Sequence, residues 1–281
     1  MKKLFIYIPT FNRLNSLVAQ LNALIPQIKG NPDVRLHIMD NASDNFNINT
    51  IKSLVSCDNI TIARNGFNID GNANIIYGFA YSQPGEALWI LSDNDIVHPV
   101  AVKRILAEMN NGFDLLCMRS NLSERFESIY RWSEGWSGAF SSDVGLISAI
   151  VYNVTKFGPY TYSGFLYHNT SFPHLAVMLA YAKAHKLIHF VNIERLFSPL
   201  TFAGDQIGSY SLSKLGMPLL SELMPKDKAI EFCRNWLSEW EDDFFQHRTA
   251  NPSVFSHTFH YLRSLSPELD KKLTARLPLC D

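Results

Sequence analysis

The chain has 281 residues, of which 47% are hydrophobic and 18% charged, and its formal net charge at pH 7 is −1. A chain of this length and composition can bury a sizeable core in one large or two modest domains, which excludes a disordered protein. The near-zero net charge excludes the general positive field that attracts nucleic acid or an anionic membrane surface.

Residues 3–100 alternate between strand-like and helix-like patterns. Strands are predicted at Leu4–Ile8, Val34–Met39, Ile60–Ala63 and Ala87–Leu91, and helices between them at Leu14–Ile28, Asn49–Val55 and Asn72–Tyr81. This order predicts a parallel sheet with right-handed crossovers, because each helix returns the chain to the same end of the next strand. A helix over Pro99–Met109 and a strand over Leu115–Met118 continue the pattern.

The pattern loosens after residue 120. Residues 121–142 show no clear period, which is typical of a surface loop or a small antiparallel excursion. Val144–Tyr152 is apolar, and its periodicity fits a strand and a helix equally well. Phe172–Lys186 predicts a helix, and Leu187–Asn192 predicts the strand after it.

The character changes again after Gly216, which predicts a first domain over residues 1–215 and a helical extension over residues 216–281. Helices are expected at Lys226–Gln246, Pro252–Leu265 and Pro267–Leu277. On the first of these, aromatic residues recur every four positions, which favours a stripe packed into a core over a membrane-docking or dimer face. Those residues are Phe232, Trp236, Trp240 and Phe244. A homo-oligomer through these helices stays an open alternative.

Four cysteines, Cys57, Cys117, Cys233 and Cys280, are scattered along the chain. Because no two of them form a C-x-x-C pair, they predict free thiols in a reducing compartment rather than zinc ligands or disulfides. No apolar stretch approaches the roughly 18 residues of a membrane span. We therefore expect a cytoplasmic protein without a transmembrane segment, whose only membrane contact would be peripheral.

The strand at Ala87–Leu91 is followed by two carboxylates, Asp93 and Asp95, spaced one residue apart. Ligands of open α/β sheets bind beyond the carboxyl ends of the strands, and residues two apart on an extended chain project to the same side. Two hard oxygen donors at such a place suit Mg²⁺ or Mn²⁺ carrying a diphosphate. The alternative is an Asx turn with solvated carboxylates.

Polar residues follow the other three strands as well. Residues 9–13 (PTFNR) follow the first strand, residues 40–44 (DNASD) the second, and residues 64–74 (RNGFNIDGNAN) the third. Turn formation alone explains any one of these segments. The tips of parallel strands lie along one edge of a sheet, however, and four polar tips at one edge indicate a nucleotide site.

The motifs at residues 8–13, 40–44, 68–74 and 92–95 stand in the order and spacing of the family 2 glycosyltransferases, which the chain resembles over about residues 3–205. The resemblance implies an A-type glycosyltransferase fold of the α/β class. In that fold a Rossmann-like, mostly parallel central sheet is flanked by helices, here with a helical C-terminal extension. Through Val144–Tyr152 and residues 172–175, the chain looks most like the branch of abequosyltransferases and similar bacterial O-antigen or capsule enzymes.

The resemblance also implies roles for the first two strand ends. The backbone around Pro9 and Thr10 would hold the base and ribose of a nucleotide-sugar, with Asn12 and Arg13 nearby. Asp40 would accept a hydrogen bond from the pyrimidine edge, and a charged acceptor makes such a contact stronger. These expectations name a UDP-, CDP- or dTDP-linked sugar as the donor.

The third strand end would form one wall of the same site. Gly71 would let the backbone approach the nucleotide closely, since glycine has no side chain to obstruct it. Asn68 and Asn74 would line that wall. Asp70 stands where the family often has glycine, which leaves the local backbone conformation open.

The fourth strand end would supply the metal chemistry. By the resemblance, Asp93 would hold the ribose or a metal-bound water, with Asn94 beside it in the nucleotide-sugar site. Asp95 would bind the Mg²⁺ or Mn²⁺ ion on the diphosphate, where a cation neutralises charge on the departing nucleoside diphosphate.

The resemblance also bears on the general base that takes the proton of the acceptor hydroxyl. Many family members supply it from a Glu-Asp pair at the start of a helix, and this chain reads Thr170-Ser171-Phe172-Pro173-His174 there. By position His174 replaces that pair, and the helix dipole would favour its neutral, basic form. His174 as a plain wall residue is the alternative, with Asp143 and Asp205 as other candidates for the base.

The sequence therefore predicts a metal-dependent glycosyltransferase that is inverting by resemblance. Its acceptor would be a glycan, or a lipid-linked glycan, of bacterial surface polysaccharide. A catalytically inactive subunit that binds nucleotide-sugar or glycan is one alternative. A sugar-phosphate nucleotidyltransferase is another, but that class needs a glycine-rich basic loop after the first strand, where this chain has residues 9–13.

Overall fold

The computed structural model describes residues 1, 3–44, 51–53, 55, 57–120, 144–185, 187–200, 215–246, 248–249 and 251–276. The strands are β1 (Lys3–Thr10), β2 (Val34–Asp40), β3 (Ile60–Arg64), β4 (Glu86–Ile90), β5 (Asp95–Val97), β6 (Leu115–Arg119), β7 (Ile150–Asn153), β8 (Phe190–Glu194) and β9 (Phe197–Pro199). The helices are α1 (Leu14–Ile28), α2 (Gly71–Tyr81), α3 (Ala101–Asn111), α4 (Val154–Phe157), α5 (Thr161–Leu166), α6 (Pro173–Ala184), α7 (Lys226–Gln246), α8 (Pro252–Leu265) and α9 (Pro267–Thr274).

A mostly parallel, seven-stranded sheet forms the centre of the fold, in the order β3-β2-β1-β4-β7-β6-β8. The four strands of the N-terminal half, β1 to β4, are mutually parallel, as predicted. Only β7 of this sheet runs antiparallel, between β4 and β6. A separate two-stranded sheet pairs β5 with β9. The first half of the sheet therefore presents four carboxyl ends along one edge.

Continuous apolar runs form the strands at the centre of this sheet. All five residues of Leu4–Ile8 in β1 are fully buried, and so is the run from Ala87 to Leu91 in and after β4. Such runs are typical of strands covered on both faces. Helix α2 contacts β1 and β4, and it also contacts α5 and α6. Helix α1 packs against β5 and α3.

The C-terminal extension packs onto the first domain through a 3₁₀ helix, Met217–Leu223, which contacts α6 and α7. Before it, Gly216 lies so close to the backbone that an added Cβ would be 2.4 Å from the carbonyl oxygen of Asn169. Tyr167 donates a 2.7 Å hydrogen bond to Glu222. The residue boundary at 215 stays a prediction, but the two parts share a contact surface.

The aromatic stripe of α7 is part of the core, as predicted. Phe232, Trp236 and Phe244 are buried, and Trp240 is half-buried against them. Cys57, Cys117 and Cys233 are free thiols, as expected, and Cys280 lies outside the described residues. No helix in the described ranges is long and apolar enough to cross a membrane.

The ambiguous segment Val144–Tyr152 divides into a 3₁₀ turn, Ile147–Ala149, and the start of β7. Of the predicted helix at Asn49–Val55, residues 51–53 are helical and Val55 is not, and residues 49, 50 and 54 lie outside the described residues. The predicted helix from Phe172 starts one residue later, at Pro173. Ser266 caps the last helix by accepting a hydrogen bond from the backbone N–H of Leu269.

Candidate functional site

The polar segments after β1 and β4 are joined by a shared carboxylate. Thr10, the last residue of β1, donates a 2.8 Å hydrogen bond to Oδ2 of Asp93, and Arg13 forms a 3.0 Å ion pair with Oδ1. Asp93 is buried, with 2% of its surface exposed, so both of its oxygens are satisfied by protein groups. Pro9, one residue earlier, is half-buried at the same end of the strand.

The segments after β1 and β2 are locked together in the same way. The backbone N–H of Asn12 donates to Oγ of Ser43 at 2.7 Å, and the Asn12 side chain exchanges two hydrogen bonds with Asp44. Asn12 and Ala42 both have positive φ, at 53° and 62°. Alanine adopts this conformation rarely, and such strain concentrates at functional sites.

Asp40 is fully buried at the end of β2, and its carboxylate is used within the protein. It accepts hydrogen bonds from the backbone and the hydroxyl of Ser43, and Nη1 of Arg64 lies 3.0 Å away. Arg64 also donates to the carbonyl of Ser43. Contact of Asp40 with a pyrimidine stays a prediction, and the carboxylate is fully buried.

Asparagine side chains connect the ends of β2 and β3. Asn41 donates to Oδ1 of Asn68 at 2.8 Å and accepts from Asn65 at 2.9 Å and from the backbone of Ile69 at 3.1 Å. Asn41 is buried and Asn68 is exposed. The hydrogen bonds of buried Asn41 therefore fix the exposed loop before α2.

Asp70, which precedes α2, has a backbone conformation that is typical of glycine. Asp70 has φ 79° and ψ 145°, and its side chain caps the helix by accepting from the backbone of Asn72. Gly71 is exposed, with open space where a side chain would stand. Asn74 is buried instead: its carbonyl accepts from Tyr7 and its amide donates to the carbonyl of Met39. These hydrogen bonds of Asn74 therefore go to β1 and β2.

The two predicted metal ligands have different surroundings. Residues 92–95 form a turn, with the backbone N–H of Asp95 3.3 Å from the carbonyl of Ser92, so the expectation of an extended chain here is wrong. Asn94 lies within this turn and accepts a hydrogen bond from the hydroxyl of Ser92. Asp93 belongs to the turn, whereas Asp95 is the first residue of β5.

Asp95 is buried, with 6% of its surface exposed. Its Oδ2 accepts a 2.6 Å hydrogen bond from Ser148. Among the described residues it forms no ion pair, and its Oδ1 has no hydrogen-bond donor. Burial raises the pKa of Asp95, and nearby Asp93 adds to the rise, while the Ser148 hydroxyl and the charges of Arg195 and Arg13 oppose it.

Sequence reasoning missed Ser148. It is fully buried in the turn before β7, where its Oγ accepts from the backbone of Ser92 at 2.9 Å and donates to Asp95. Its carbonyl accepts a hydrogen bond from the indole of Trp89. A single serine within the apolar segment Val144–Tyr152 was the only available signal.

The described residues offer a divalent cation one carboxylate ligand rather than a full set of protein ligands. Within the described ranges no cluster of three or more His, Cys, Asp or Glu could hold a metal by protein groups alone. Mg²⁺ is usually bound by one or two carboxylates together with substrate phosphates. The unpaired Oδ1 of Asp95 meets that requirement, whereas Asp93 is already engaged by Thr10 and Arg13.

His174, the predicted base, lies in the first turn of α6 and is buried, with 1% of its surface exposed. Nε2 is 3.2 Å from the carbonyl oxygen of Val144, so Nε2 carries the proton and Nδ1 keeps the lone pair. Nδ1 has no partner among the described residues. Burial lowers the pKa of His174 to about 4, which the hydrogen bond to Val144 opposes. Asp143 and Asp205 lie outside the described residues.

Two cavities lie away from these strand ends. One, of about 420 Å³, is lined by α1 and the segment around Pro99 and includes Gln27 and Lys103. The other, of about 500 Å³, lies beside β3 and includes Cys57 and Asp58. Neither includes a residue of the four strand-end motifs.

Comparison with solved structures supports the fold. Staphylococcus aureus TarS residues 1–349 in complex with UDP-GlcNAc superposes with a TM-score of 0.64 at 10% identity, covering 96% of this chain and 83% of that one. The mannosyltransferase PcManGT from Pyrobaculum calidifontis, in complex with GDP-Man and Mn²⁺, gives 0.51 at 9% identity, covering 97% and 79%. These neighbours have the GT-A fold, and at such low identity they show the fold alone. No curated protein matches the chain in sequence.

The sequence itself carries the family assignment. Residues 5–174 match glycosyl transferase family 2, which is more than half of the chain. This range includes all four strand-end motifs and ends at His174. The match favours a glycosyltransferase over the two alternatives, an inactive binding subunit and a nucleotidyltransferase. The chain belongs to glycosyl transferase family 2 and is a glycosyltransferase enzyme.

Proposed function

We propose that this enzyme transfers a sugar from a pyrimidine-nucleotide sugar to a hydroxyl of a glycan acceptor, using Mg²⁺ or Mn²⁺ and inverting the anomeric carbon. The observation that carries the proposal is the joining of the strand ends of β1 to β4 into one polar surface. Side-chain hydrogen bonds, rather than strand pairing alone, fix these loops. A preorganised polar surface is what a nucleotide diphosphate requires.

Donor binding would use the motifs in the order of the sheet. Thr10 and Asn12 would contact the nucleoside, and exposed Gly71 would leave room for it beside α2. Arg13 is held by Asp93 at 3.0 Å and remains 25% exposed, which supports a role as a fixed positive charge for the diphosphate. Solved neighbours of the same fold carry UDP-GlcNAc and GDP-Man, which agrees with a nucleotide-sugar donor.

Asp95 would hold the cation through Oδ1, with the phosphate oxygens of the donor completing the coordination. When bound, the cation neutralises negative charge on the departing nucleoside diphosphate. The burial of Asp95 and the absence of an ion pair to it among the described residues support this assignment, because a bound cation would stabilise its charged form. PcManGT, which carries Mn²⁺, is a neighbour in fold and agrees with metal use.

Transfer would proceed by single displacement. The acceptor hydroxyl oxygen bonds to C1 as the bond from C1 to the phosphate oxygen breaks, and the hydroxyl proton passes to a base. His174 is our proposed base, with Nδ1 as the receiving atom. His174 is buried, so the acceptor hydroxyl would have to enter the interior beside α6 to reach Nδ1.

The acceptor we propose is a glycan, or a lipid-linked glycan, of bacterial surface polysaccharide, and the enzyme would act in the cytoplasm or at the inner face of the membrane. The likeness of residues 144–152 and 172–175 to the abequosyltransferase branch supports this narrower proposal. Asp95 and His174 are linked to the first of these segments by Ser148 and Val144.

A donor screen tests the proposal. UDP-, CDP-, dTDP- and GDP-sugars are added to the enzyme with Mn²⁺ or with EDTA, and thermal unfolding is followed. A ligand that binds only the folded state at about 100 times its Kd adds roughly 2.7 kcal/mol of stability. We expect one pyrimidine-nucleotide sugar to stabilise the protein with Mn²⁺ and much less in EDTA.

The variant Asp95→Asn is the matched control, since it keeps the shape of the side chain and its hydrogen bond from Ser148. We expect it to fold normally and to lose the Mn²⁺-dependent part of the stabilisation. Stabilisation by GDP-sugars alone would contradict the pyrimidine donor. Equal stabilisation in Mn²⁺ and EDTA would contradict the metal assignment.

A further inference from the structure

We propose that Ser148 is a positioning residue that orients Asp95 so that Oδ1 faces the bound cation. The inference rests on the proposed function, in which Asp95 is the protein ligand of that cation. Ser148 does not touch the donor or the cation in this proposal, and it acts through the carboxylate alone.

The hydrogen-bond pattern around Ser148 fixes the direction of its single proton. The backbone N–H of Ser92 donates to Oγ at 2.9 Å, which uses an acceptor position of the hydroxyl. The hydroxyl proton is then directed to Oδ2 of Asp95, 2.6 Å away. Oδ2 already accepts this hydrogen bond, so Oδ1, which accepts none from the described residues, is the oxygen more open to a cation.

Ser148 itself is held in place by its backbone. Its carbonyl accepts a 2.8 Å hydrogen bond from the indole of Trp89, and both residues are fully buried. Trp89 belongs to β4, the strand that leads into the turn carrying Asp93. Ser148 therefore ties the start of β5 to β4, although it lies 53 positions after Asp95 in the chain.

This arrangement matches the way metal sites are generally built. Side chains that ligate a metal are oriented by hydrogen bonds from groups that do not touch it, and removing such a group typically weakens metal affinity by about 10- to 100-fold. The alternative role for Ser148 is purely structural, as a satisfied polar group in the core. A structural role would lower stability without a specific effect on the cation.

The experiment compares Ser148→Ala and Ser148→Cys with a matched control, Ser221→Ala. Ser221 is a similarly buried serine in the 3₁₀ helix before α7, hydrogen-bonded to Pro218 and Tyr261 and outside the four strand-end motifs. The first readout is Mn²⁺ binding in the presence of UDP, CDP or dTDP and without acceptor, measured by electron paramagnetic resonance. The second is the Mn²⁺ concentration that gives half-maximal transfer.

We expect Ser148→Ala to weaken Mn²⁺ binding by about tenfold or more, and the weak thiol donor of Ser148→Cys to give an intermediate value. Ser221→Ala should lower the melting temperature and leave Mn²⁺ binding unchanged. If Ser148→Ala does not fold, an unchanged Mn²⁺ affinity in Ser148→Cys would overturn the inference, and a weakened one would support it.

The failures of the inference and of the proposed function are distinguishable. If the wild-type enzyme needs Mn²⁺ and Ser148→Ala binds it equally well, Ser148 is not a positioning residue and the role of Asp95 stands. If Ser221→Ala weakens binding as much as Ser148→Ala, the effect is general destabilisation and the inference fails. If the wild-type enzyme transfers sugar equally well in EDTA, the metal assignment of the proposed function fails.

Discussion

Thr10, at the end of β1, donates a 2.8 Å hydrogen bond to Asp93, which lies 83 positions later in the chain beyond the end of β4. Arg13 reaches the other oxygen of the same carboxylate. Because β1 and β4 are neighbours in the sheet, the first strand-end motif fixes the position of the fourth. We propose that the diphosphate of the donor binds beside Thr10, Arg13 and Asp93.

Replacing Thr10 by valine tests this link. Thr10→Val removes one donor from a buried carboxylate, which typically costs about 1–3 kcal/mol in the free energy of unfolding. We expect that loss in urea unfolding, together with a raised KM for the donor. Thr10→Ser keeps the hydroxyl and should stay close to the wild type. Equal stability of the valine and serine variants would show that the hydrogen bond contributes nothing.

His174 should make the protein sensitive to acid. Burial lowers its pKa to about 4 from the ordinary 6.5, so between these values the unfolded chain binds more protons than the folded one. The contribution of the neutral imidazole to the free energy of unfolding is fully present above pH 6.5. It is lost as the pH falls, and the loss reaches roughly 3 kcal/mol below pH 4. His174→Gln should flatten this dependence in chemical unfolding measured from pH 7 to pH 4.

The same variant tests the proposed base. We expect His174→Gln to lower kcat strongly while the affinity for the donor changes little, because the base acts on the acceptor. His189→Gln, at an exposed position, is the matched control. Normal transfer by His174→Gln would place the base elsewhere in the chain.

Asp70 carries backbone strain that glycine would relieve. Its φ of 79° with ψ of 145° is a conformation found almost only in glycine, and it costs about 1–3 kcal/mol in other residues. Asp70→Gly loses the helix cap at a cost of a few tenths of a kcal/mol. We expect a net gain in stability of about 0.5–1 kcal/mol on thermal unfolding, after the entropy cost of glycine in the unfolded chain.

The control for this prediction is Asp70→Ala, which loses the cap and keeps the strain. It should destabilise the protein by about 1 kcal/mol. A result in which the glycine variant is no more stable than the alanine variant would contradict the strain at this position.

Gly216 should tolerate no side chain, because a Cβ there would lie 2.4 Å from the carbonyl oxygen of Asn169. Gly216→Ala must move backbone, and overpacking of this kind typically costs about 1–3 kcal/mol. Gly158→Ala is the matched control, since its Cβ would meet its nearest neighbour at 3.5 Å. Equal melting temperatures for the two variants would show that the extension does not pack on the first domain as closely as described.

Much of the fold follows from local patterns in the sequence. Helix α1 has the predicted bounds because its apolar residues repeat at helical spacing between two strands. Strands β1 and β4 were predictable as continuous apolar runs ending in polar residues, whereas the apolar residues of β2 and β3 are interrupted by polar ones. The direction of β7 was not, because an apolar run carries no sign of its orientation in a sheet.

The site was predictable in its parts but not in its partners. The motifs predicted that Asp93 and Asp95 project to the same side, but the turn at residues 92–95 gives them different partners, Arg13 for Asp93 and Ser148 for Asp95. Strand β5 has three residues, too few to show a period. Ser148 gains its role from a contact 53 positions away, which no local pattern reveals.

The position of the cation tests the central claim most directly. Crystals of the enzyme with Mn²⁺ and the stabilising nucleoside diphosphate would locate the ion by its anomalous scattering. We predict the ion at Oδ1 of Asp95, with the diphosphate beside Arg13 at the carboxyl ends of β1 to β4, and no ion in Asp95→Asn. A nucleotide bound away from these strand ends, or an ion without contact to Asp95, would contradict the account.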